Sequence, residues 1–137
     1  MAKYVVTGNK VTINGVDLSS SVARAEIAMN VADVDATDFA SGGYTELVGG
    51  LKSGSVSIDF HQDYAAASVD ATIFPLIGSI ATAVIIAGNG TAASSSTPAY
   101  TATVLVNGWN PVAGAVGDLS TVSVTWPTSG VISKATA

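Results

Sequence analysis

Apolar and polar residues alternate in short segments along much of this chain. The clearest segment is residues 54–62, where Val56, Ile58 and Phe60 are each followed by a polar residue. A period of two with one apolar face predicts a strand in an antiparallel sheet that has one side toward solvent. Similar alternation, or a run rich in β-branched residues, predicts further strands at residues 10–15, 22–29, 81–87, 100–107 and 119–126.

Residues 65–77 follow the period of a helix instead. The apolar stripe of this segment consists of Val69, Ile73, Leu76 and Ile77. Spacings of three and four residues place such side chains on one side of an amphipathic helix. Ser68 is a candidate N-terminal cap, and Pro75 followed by Gly78 predicts the end of the helix.

The order of these elements predicts a mainly β (α+β) fold. We expect a β-sandwich or barrel-like subunit with one short helix packed against it. The length of 137 residues suits a single domain spanning residues 1–137. Residues 128–137 are polar and carry no clear period, so we expect a loose tail there.

Residues 33–50 form the least regular segment. Its first part, residues 33–39, could begin as a strand, and the adjacent Gly42 and Gly43 then predict a flexible, exposed loop. Loops this long within a compact domain are usually functional or disordered.

Three carboxylates, Asp33, Asp35 and Asp38, lie close together in this segment. Grouped carboxylates can ligate calcium. The EF-hand pattern is absent, because no glycine stands at its sixth position and no glutamate closes the loop. An acidic loop in contact with solvent is therefore the favoured interpretation.

The composition is short of charge. Only 11% of residues are charged, against roughly 25% in an average soluble protein, while 48% are hydrophobic. Such a surface is poorly protected against association, and exposed strand edges would pair readily with another chain. We expect a protein that assembles with partners; the alternative is a small soluble domain with an alanine-rich surface.

The net charge of −5 argues against tight binding of nucleic acid. The five basic residues are scattered along the chain, and a phosphate-binding surface needs several of them together. No cysteine is present, which excludes disulfides and thiolate metal sites. The sequence shows no secretion signal and no apolar run long enough to span a bilayer, so we expect synthesis in the cytoplasm and no membrane insertion.

The residues that could carry catalysis are sparse, and we expect no enzyme and no cofactor. His61 is the single histidine, beside Asp59 and Asp63, and no Gly-x-Ser-x-Gly elbow accompanies it. No Walker loop or dinucleotide fingerprint occurs. Trp109 and Trp126 lie next to proline turns, which favours core or interface packing over ligand binding.

Four segments resemble the tail tube (major tail) proteins of long-tailed bacteriophages. They are VTINGVDLS (residues 11–19), VDATDF (34–39), SIDFHQDY (57–64) and VDATIFPL (69–76). The similarity extends over about residues 11–126 and consists of plain structural segments without a chemical signature.

This resemblance implies a structural subunit of the virion tail, made in the host cytoplasm. Copies would form hexameric rings that stack into a tube, with sheets shared between copies lining a channel through which DNA passes without specific binding. Flexible arms (residues 1–9 and 128–137) and a loop would reach the next ring, and tail initiator, tape measure and terminator proteins would be partners. The implied loop residues are Asp33, Asp35, Asp38, Phe39, Gly42, Gly43, Tyr44 and Glu46.

Two other classes remain open at this point. A capsid decoration protein or head–tail connector is also small and β-rich. A soluble immunoglobulin-like binding module would stay monomeric, although the helical segment at 65–77 does not suit a simple sandwich. The size distribution of the purified protein discriminates among these classes.

Overall fold

The computed structural model describes residues 5–87, 93 and 97–136. The regular elements in this part of the chain are β1 (Lys10–Ile13), β2 (Val16–Asp17), β3 (Val22–Asp35), β4 (Leu47–His61), α1 (Val69–Ile73), β5 (Ile80–Ile86), β6 (Ala99–Leu105), β7 (Thr121–Pro127) and β8 (Ser133–Ala135). They build a five-stranded sheet, β2-β1-β5-β6-β8, and a three-stranded sheet, β3-β4-β7, with antiparallel pairing throughout. The expected mainly β sandwich with one short helix is confirmed.

The core lies where the inner faces of the two sheets meet. The alternation predicted for residues 54–62 holds, because Val56, Ile58 and Phe60 are fully buried. Trp126, on the neighbouring β7, is also fully buried, and its indole Nε1 donates a hydrogen bond to the Gly108 carbonyl at 3.0 Å. The two tryptophans therefore serve packing, as expected, with Trp109 lying edge-on to Phe60 at a centroid distance of 5.6 Å.

The helix is shorter than residues 65–77. It spans Val69–Ile73 and continues as a 3₁₀ turn over Phe74–Leu76. Ser68 occupies the cap position, but its side chain makes no capping hydrogen bond. The preceding turn is held instead by Asp63, whose carboxylate accepts a bond from the Ala65 amide at 2.9 Å. This carboxylate therefore stabilises the turn that precedes the helix.

The irregular segment at 33–50 is the main correction. β3 and β4 are 14 and 15 residues long. Residues 33–35 pair with residues 47–49, residue 50 belongs to the same strand, and the connection is only residues 36–46. Positions 50 and 54 of β4 are glycine because a side chain would not fit there. A Cβ at Gly50 would lie 2.8 Å from Val34 Cγ2, and one at Gly54 would lie 2.4 Å from the Ala28 carbonyl oxygen.

The predicted loose tail is also corrected for most of its length. The Thr128 amide donates to the Gly54 carbonyl at 3.0 Å, and the Ser129 amide donates to the Thr103 carbonyl at 2.8 Å. β8 then pairs with β6. The chain thus crosses from one sheet to the other and closes one side of the sandwich. Residues 1–4 of the expected N-terminal arm and residue 137 lie outside the described residues.

The Asp-Leu-Ser run at 17–19 forms a local hydrogen-bonded unit. The Asp17 carboxylate accepts bonds from the Ser19 hydroxyl and, at 2.9 Å, from the Ser19 amide. The Ser19 hydroxyl oxygen in turn accepts a bond from the Val11 amide at 2.8 Å. The hydrogen bond from the Ser19 hydroxyl is the main reason why the pKa of Asp17 is lowered. The run therefore fixes the turn that follows β2 against β1.

The strand glycines provide a test of the hairpin packing. We predict that Gly54→Ala lowers the free energy of unfolding by about 1–3 kcal/mol, because its methyl group overlaps the Ala28 carbonyl. Gly108→Ala is the matched control, since nothing lies within 4 Å of a Cβ there. Urea denaturation measures both. Equal loss of stability in the two variants would contradict the close approach of the strands.

Candidate assembly surface

The β3–β4 hairpin extends past the sandwich. β7 pairs with β4 only over Ser55–His61, so the remaining length of β4 is paired with β3 alone among the described strands. We call residues 29–53 the distal hairpin. Two features of the sequence produce this length: the strand glycines that let β3 and β4 approach, and a bulge between Val31 and Asp33 that absorbs one extra residue of β4.

The distal hairpin carries exposed apolar side chains on both of its faces. The two residues of a cross-strand pair lie on the same face of the ribbon. The pair Asp35–Leu47 therefore lies on one face, and the next pair, Val34–Val48, lies on the other. Exposed apolar side chains in its strands are Met29, Val31, Val34, Leu47, Val48 and Leu51. A sheet with one wet side carries apolar residues on one face only. A ribbon that carries them on both faces is typical of an element covered on two sides.

Hydrogen bonds close the connection between the two strands. The Ala36 amide donates to the Glu46 carbonyl at 2.9 Å, and the Glu46 amide donates to the Thr37 hydroxyl oxygen at 2.9 Å. Asp35 accepts a bond from the Thr37 amide at 2.9 Å. Hydrogen bonds from the Thr37 hydroxyl and amide lower the pKa of Asp35. The ends of the connection are therefore fixed by backbone and side-chain bonds together.

The tip itself is a capped 3₁₀ turn. The Asp38 carboxylate accepts a bond from the Ala40 amide at 2.9 Å, and the Ser41 hydroxyl accepts one from the Asp38 amide at 3.1 Å. Gly42 and Gly43 then adopt positive φ angles of 65° and 86°. The glycine pair thus makes an exposed turn, as the sequence predicted, by adopting the left-handed backbone conformation. The flexibility expected of this segment stays a prediction.

Two aromatic side chains project from this tip. Phe39 is fully exposed, and 78% of Tyr44 is exposed. The backbone of this turn is already held by hydrogen bonds, so a partner that covers the two rings has to order only their side chains. The tip therefore combines a hydrogen-bonded turn with two exposed aromatic side chains.

The predicted site residues fall into two groups. Asp38, Phe39, Gly42, Gly43, Tyr44 and Glu46 lie in the connection at residues 36–46. Asp33 and Asp35 lie in β3, and their carboxylates do not gather with that of Asp38. No group of three His, Cys, Asp or Glu side chains in the described part of the chain is placed to hold a metal ion.

The two sheets differ in how their edges are protected. The five-stranded sheet ends in β2 and β8, which have two and three residues. Very short edge strands are a common defence against pairing with another chain. The three-stranded sheet ends in β3 and in the seven-residue β7, which carries no charged residue. Its edges are therefore long, and among the described residues Pro127 at the end of β7 is the one protecting feature of that strand.

The outer face of the three-stranded sheet is covered with small hydroxyl groups. These residues are Ser55, Ser57, Thr121, Ser123 and Thr125. The Ser57 and Thr125 hydroxyl oxygens lie 3.1 Å apart. The charged groups in the same rows are Arg24 and Glu26, which form an ion pair with each other, and Asp59. Sequence patterning identified the polar face of β4 but could not show that β7 extends it.

The single histidine lies apart from the distal hairpin. His61 is exposed at the end of β4, opposite Thr121.

No helix among residues 5–87, 93 and 97–136 has the length and apolar character needed to cross a bilayer.

Solved structures share this fold. One is a chain from the tail of an empty gene transfer agent (GTA) particle reconstructed with C6 symmetry, with a TM-score of 0.67, 17% identity, and 92% of each chain covered. Another is a chain from the virion of a native gene transfer agent particle, with a TM-score of 0.69, 16% identity, and coverage of 91% of this chain and 95% of that one. No protein-family model and no curated protein sequence matches this chain. At these identities the likeness shows the fold, and the fold that the sequence resemblance implied is confirmed.

Proposed function

We propose that this chain is a structural subunit of a phage-like tail, and that its copies join into stacked, hexameric rings that form a tube for DNA delivery. The observation that carries the proposal is the pair of long, weakly protected edges on the three-stranded sheet, in a chain whose other sheet ends in very short strands. The shared fold with a chain from a C6-symmetric tail supports it.

The hydroxyl-rich face of the three-stranded sheet suits the wall of such a channel. Arg24 is neutralised by Glu26, which leaves Asp59 as the carboxylate without an ion pair in these rows. Each phosphate that a free Lys or Arg holds strengthens binding to DNA, so a wall without free cations lets DNA pass. Small side chains also leave the bore open.

The distal hairpin is the proposed contact between one ring and the next. Its two apolar faces and its aromatic tip would be covered by residues of the adjacent ring. Such a contact is head-to-tail, so it propagates as a filament. The N-terminal residues 1–9 and the end of the chain after β8 are proposed as further contacts of the same kind. The whole chain, residues 1–137, then acts as one tail-tube-like domain.

The proposed role is non-catalytic and places the chain in the virion tail. Its partners are other copies of itself, the tail initiator, the tape measure and the tail terminator. The DNA that crosses the channel is a cargo that the chain does not bind specifically.

Electron microscopy of the purified chain tests the function. We expect rings with sixfold symmetry and hollow tubes of uniform width. A protein that stays monomeric or trimeric at high concentration contradicts the tube and favours a decoration protein or a binding module.

Substitution of Phe39 tests the contact between rings. We predict that Phe39→Ser leaves the unfolding free energy within about 0.5 kcal/mol of the wild type, because the ring contacts solvent in the monomer. Tubes should become much shorter, while single rings persist. Val116→Ser is the matched control, because Val116 is also fully exposed but lies outside the hairpin. Tubes of normal length from Phe39→Ser would remove the tip from the contact.

A further inference from the structure

β6, in the five-stranded sheet, has the composition of an aggregation-prone strand. Residues 99–106 (AYTATVLV) are rich in β-branched side chains and include no charged residue, no proline and no glycine. Segments of about six or seven residues with this composition stack into sheets between molecules when their backbone is exposed. β5 pairs with all seven residues of β6 along one edge. The other edge of β6 therefore has to be covered if the strand is not to pair with other molecules.

The chain that follows β7 covers this other edge. We call residues 128–135 the C-terminal strap. A bridge joins Val104 to Thr128, and the Ser129 amide donates to the Thr103 carbonyl at 2.8 Å. The Thr103 hydroxyl donates in return to the Ser129 carbonyl. β8 then pairs with the first three residues of β6. The C-terminal strap thus runs along the edge of β6 from residue 104 back to residue 99.

Gly54 of β4 holds the C-terminal strap from the opposite sheet. The Thr128 amide and hydroxyl both donate to the Gly54 carbonyl, at 3.0 and 3.2 Å. Ile132 is half-buried and packs against the core. Its Cδ1 lies so close to Gly54 that a Cβ on this glycine would be 2.8 Å away. The missing side chain at position 54 therefore makes room for Ile132, which anchors the middle of the strap.

β8 has two properties of a protective edge strand. It is only three residues long, and all three residues are exposed. Lys134, which lies opposite Tyr100, is the one charged residue of the C-terminal strap. Very short strands and edge lysines are devices by which natural sheets prevent pairing with another chain. The strap therefore replaces an uncharged edge of seven residues with a three-residue edge that carries a positive charge.

We propose that the C-terminal strap is an intramolecular guard, which keeps β6 from pairing with β6 of other molecules of this chain. Ile132 is the anchor of the guard, and its release from the space beside Gly54 frees the strap and exposes the edge of β6. This role belongs to the single subunit and goes beyond the proposed function, so it holds whether or not copies build a tube. Residues 128–135 then stay on their own subunit and do not reach a neighbouring ring.

Ile132→Ser in the full chain tests the anchor. The substitution removes an apolar side chain from its contact with the core, so we expect the strap to detach. Amides of β6 that face the strap should lose their protection from hydrogen–deuterium exchange. Insoluble fibres that bind thioflavin T should increase several-fold over the wild type. Val131→Ser is the matched control, because Val131 is the neighbouring residue of the strap but is 81% exposed, and it should behave like the wild type.

A reversible disulfide separates release of the strap from loss of core packing. Thr101 of β6 and Ser133 of β8 lie directly opposite each other, at a separation that a disulfide can span. The chain has no cysteine of its own, so a pair introduced at these positions has no competing partner. Thr101→Cys together with Ser133→Cys, added to Ile132→Ser, should suppress the fibres when oxidised and allow them again when reduced.

Three results would each overturn the guard. If the β6 amides stay protected in Ile132→Ser, then Ile132 does not anchor the strap. If they lose protection but no fibres form, then the exposed edge of β6 does not pair with other molecules. If fibres persist in the oxidised disulfide variant, then they arise from another part of the chain. Failure of the wild-type chain to form rings or tubes contradicts the proposed function alone and leaves these measurements unaffected.

Discussion

Backbone amides and carbonyls at the edge of a sheet need hydrogen-bond partners, and this constraint organises the whole molecule. In the five-stranded sheet the need is small, because β2 and β8 are too short to present more than a few free groups. In the three-stranded sheet the need is large on both sides. Water can satisfy these groups in a monomer, but a strand from another copy satisfies them and excludes water from the adjoining apolar residues.

The remaining features of the chain are consistent with this requirement. The core is complete within one copy, since Phe60, Trp126 and the valines around them are fully buried between the sheets. The subunit can therefore fold before it assembles. The distal hairpin, in contrast, exposes apolar side chains on both faces and has no internal partner among the described residues. In the proposed tube, the edges of the three-stranded sheet would make the contacts around a ring, and the distal hairpin would make the contacts along the axis.

Much of the fold was predictable from local pattern, and the failures have physical reasons. Alternation at residues 54–62 predicted the second half of β4 correctly because burial of one face fixes a period of two. The sequence suggested a strand that could begin at residues 33–39, but not that β3 runs without interruption from residue 22 to residue 35. Asn30, Asp33 and Asp35 are poor strand formers, and pairing with β4 overrides that preference. Gly49 and Gly50 lie in the segment that looked irregular, but they stand where β3 and β4 approach closely. The tip residues Gly42 and Gly43 were predictable since positive φ angles need glycine. Which strands form the open edges was not predictable, because that depends on a strand order that joins distant segments.

Hydrogen–deuterium exchange tests the central claim most directly, by comparing dissociated subunits with assembled tubes. The account predicts that those backbone amides of β7, and of β3 at residues 22–28, that point away from β4 exchange fast in the subunit and become strongly protected in the tube. Amides of β1, β5 and β6, which are paired within one copy, should change little. Unchanged exchange at β7 and β3 after assembly would contradict the claim that copies of the chain satisfy the edges of the three-stranded sheet.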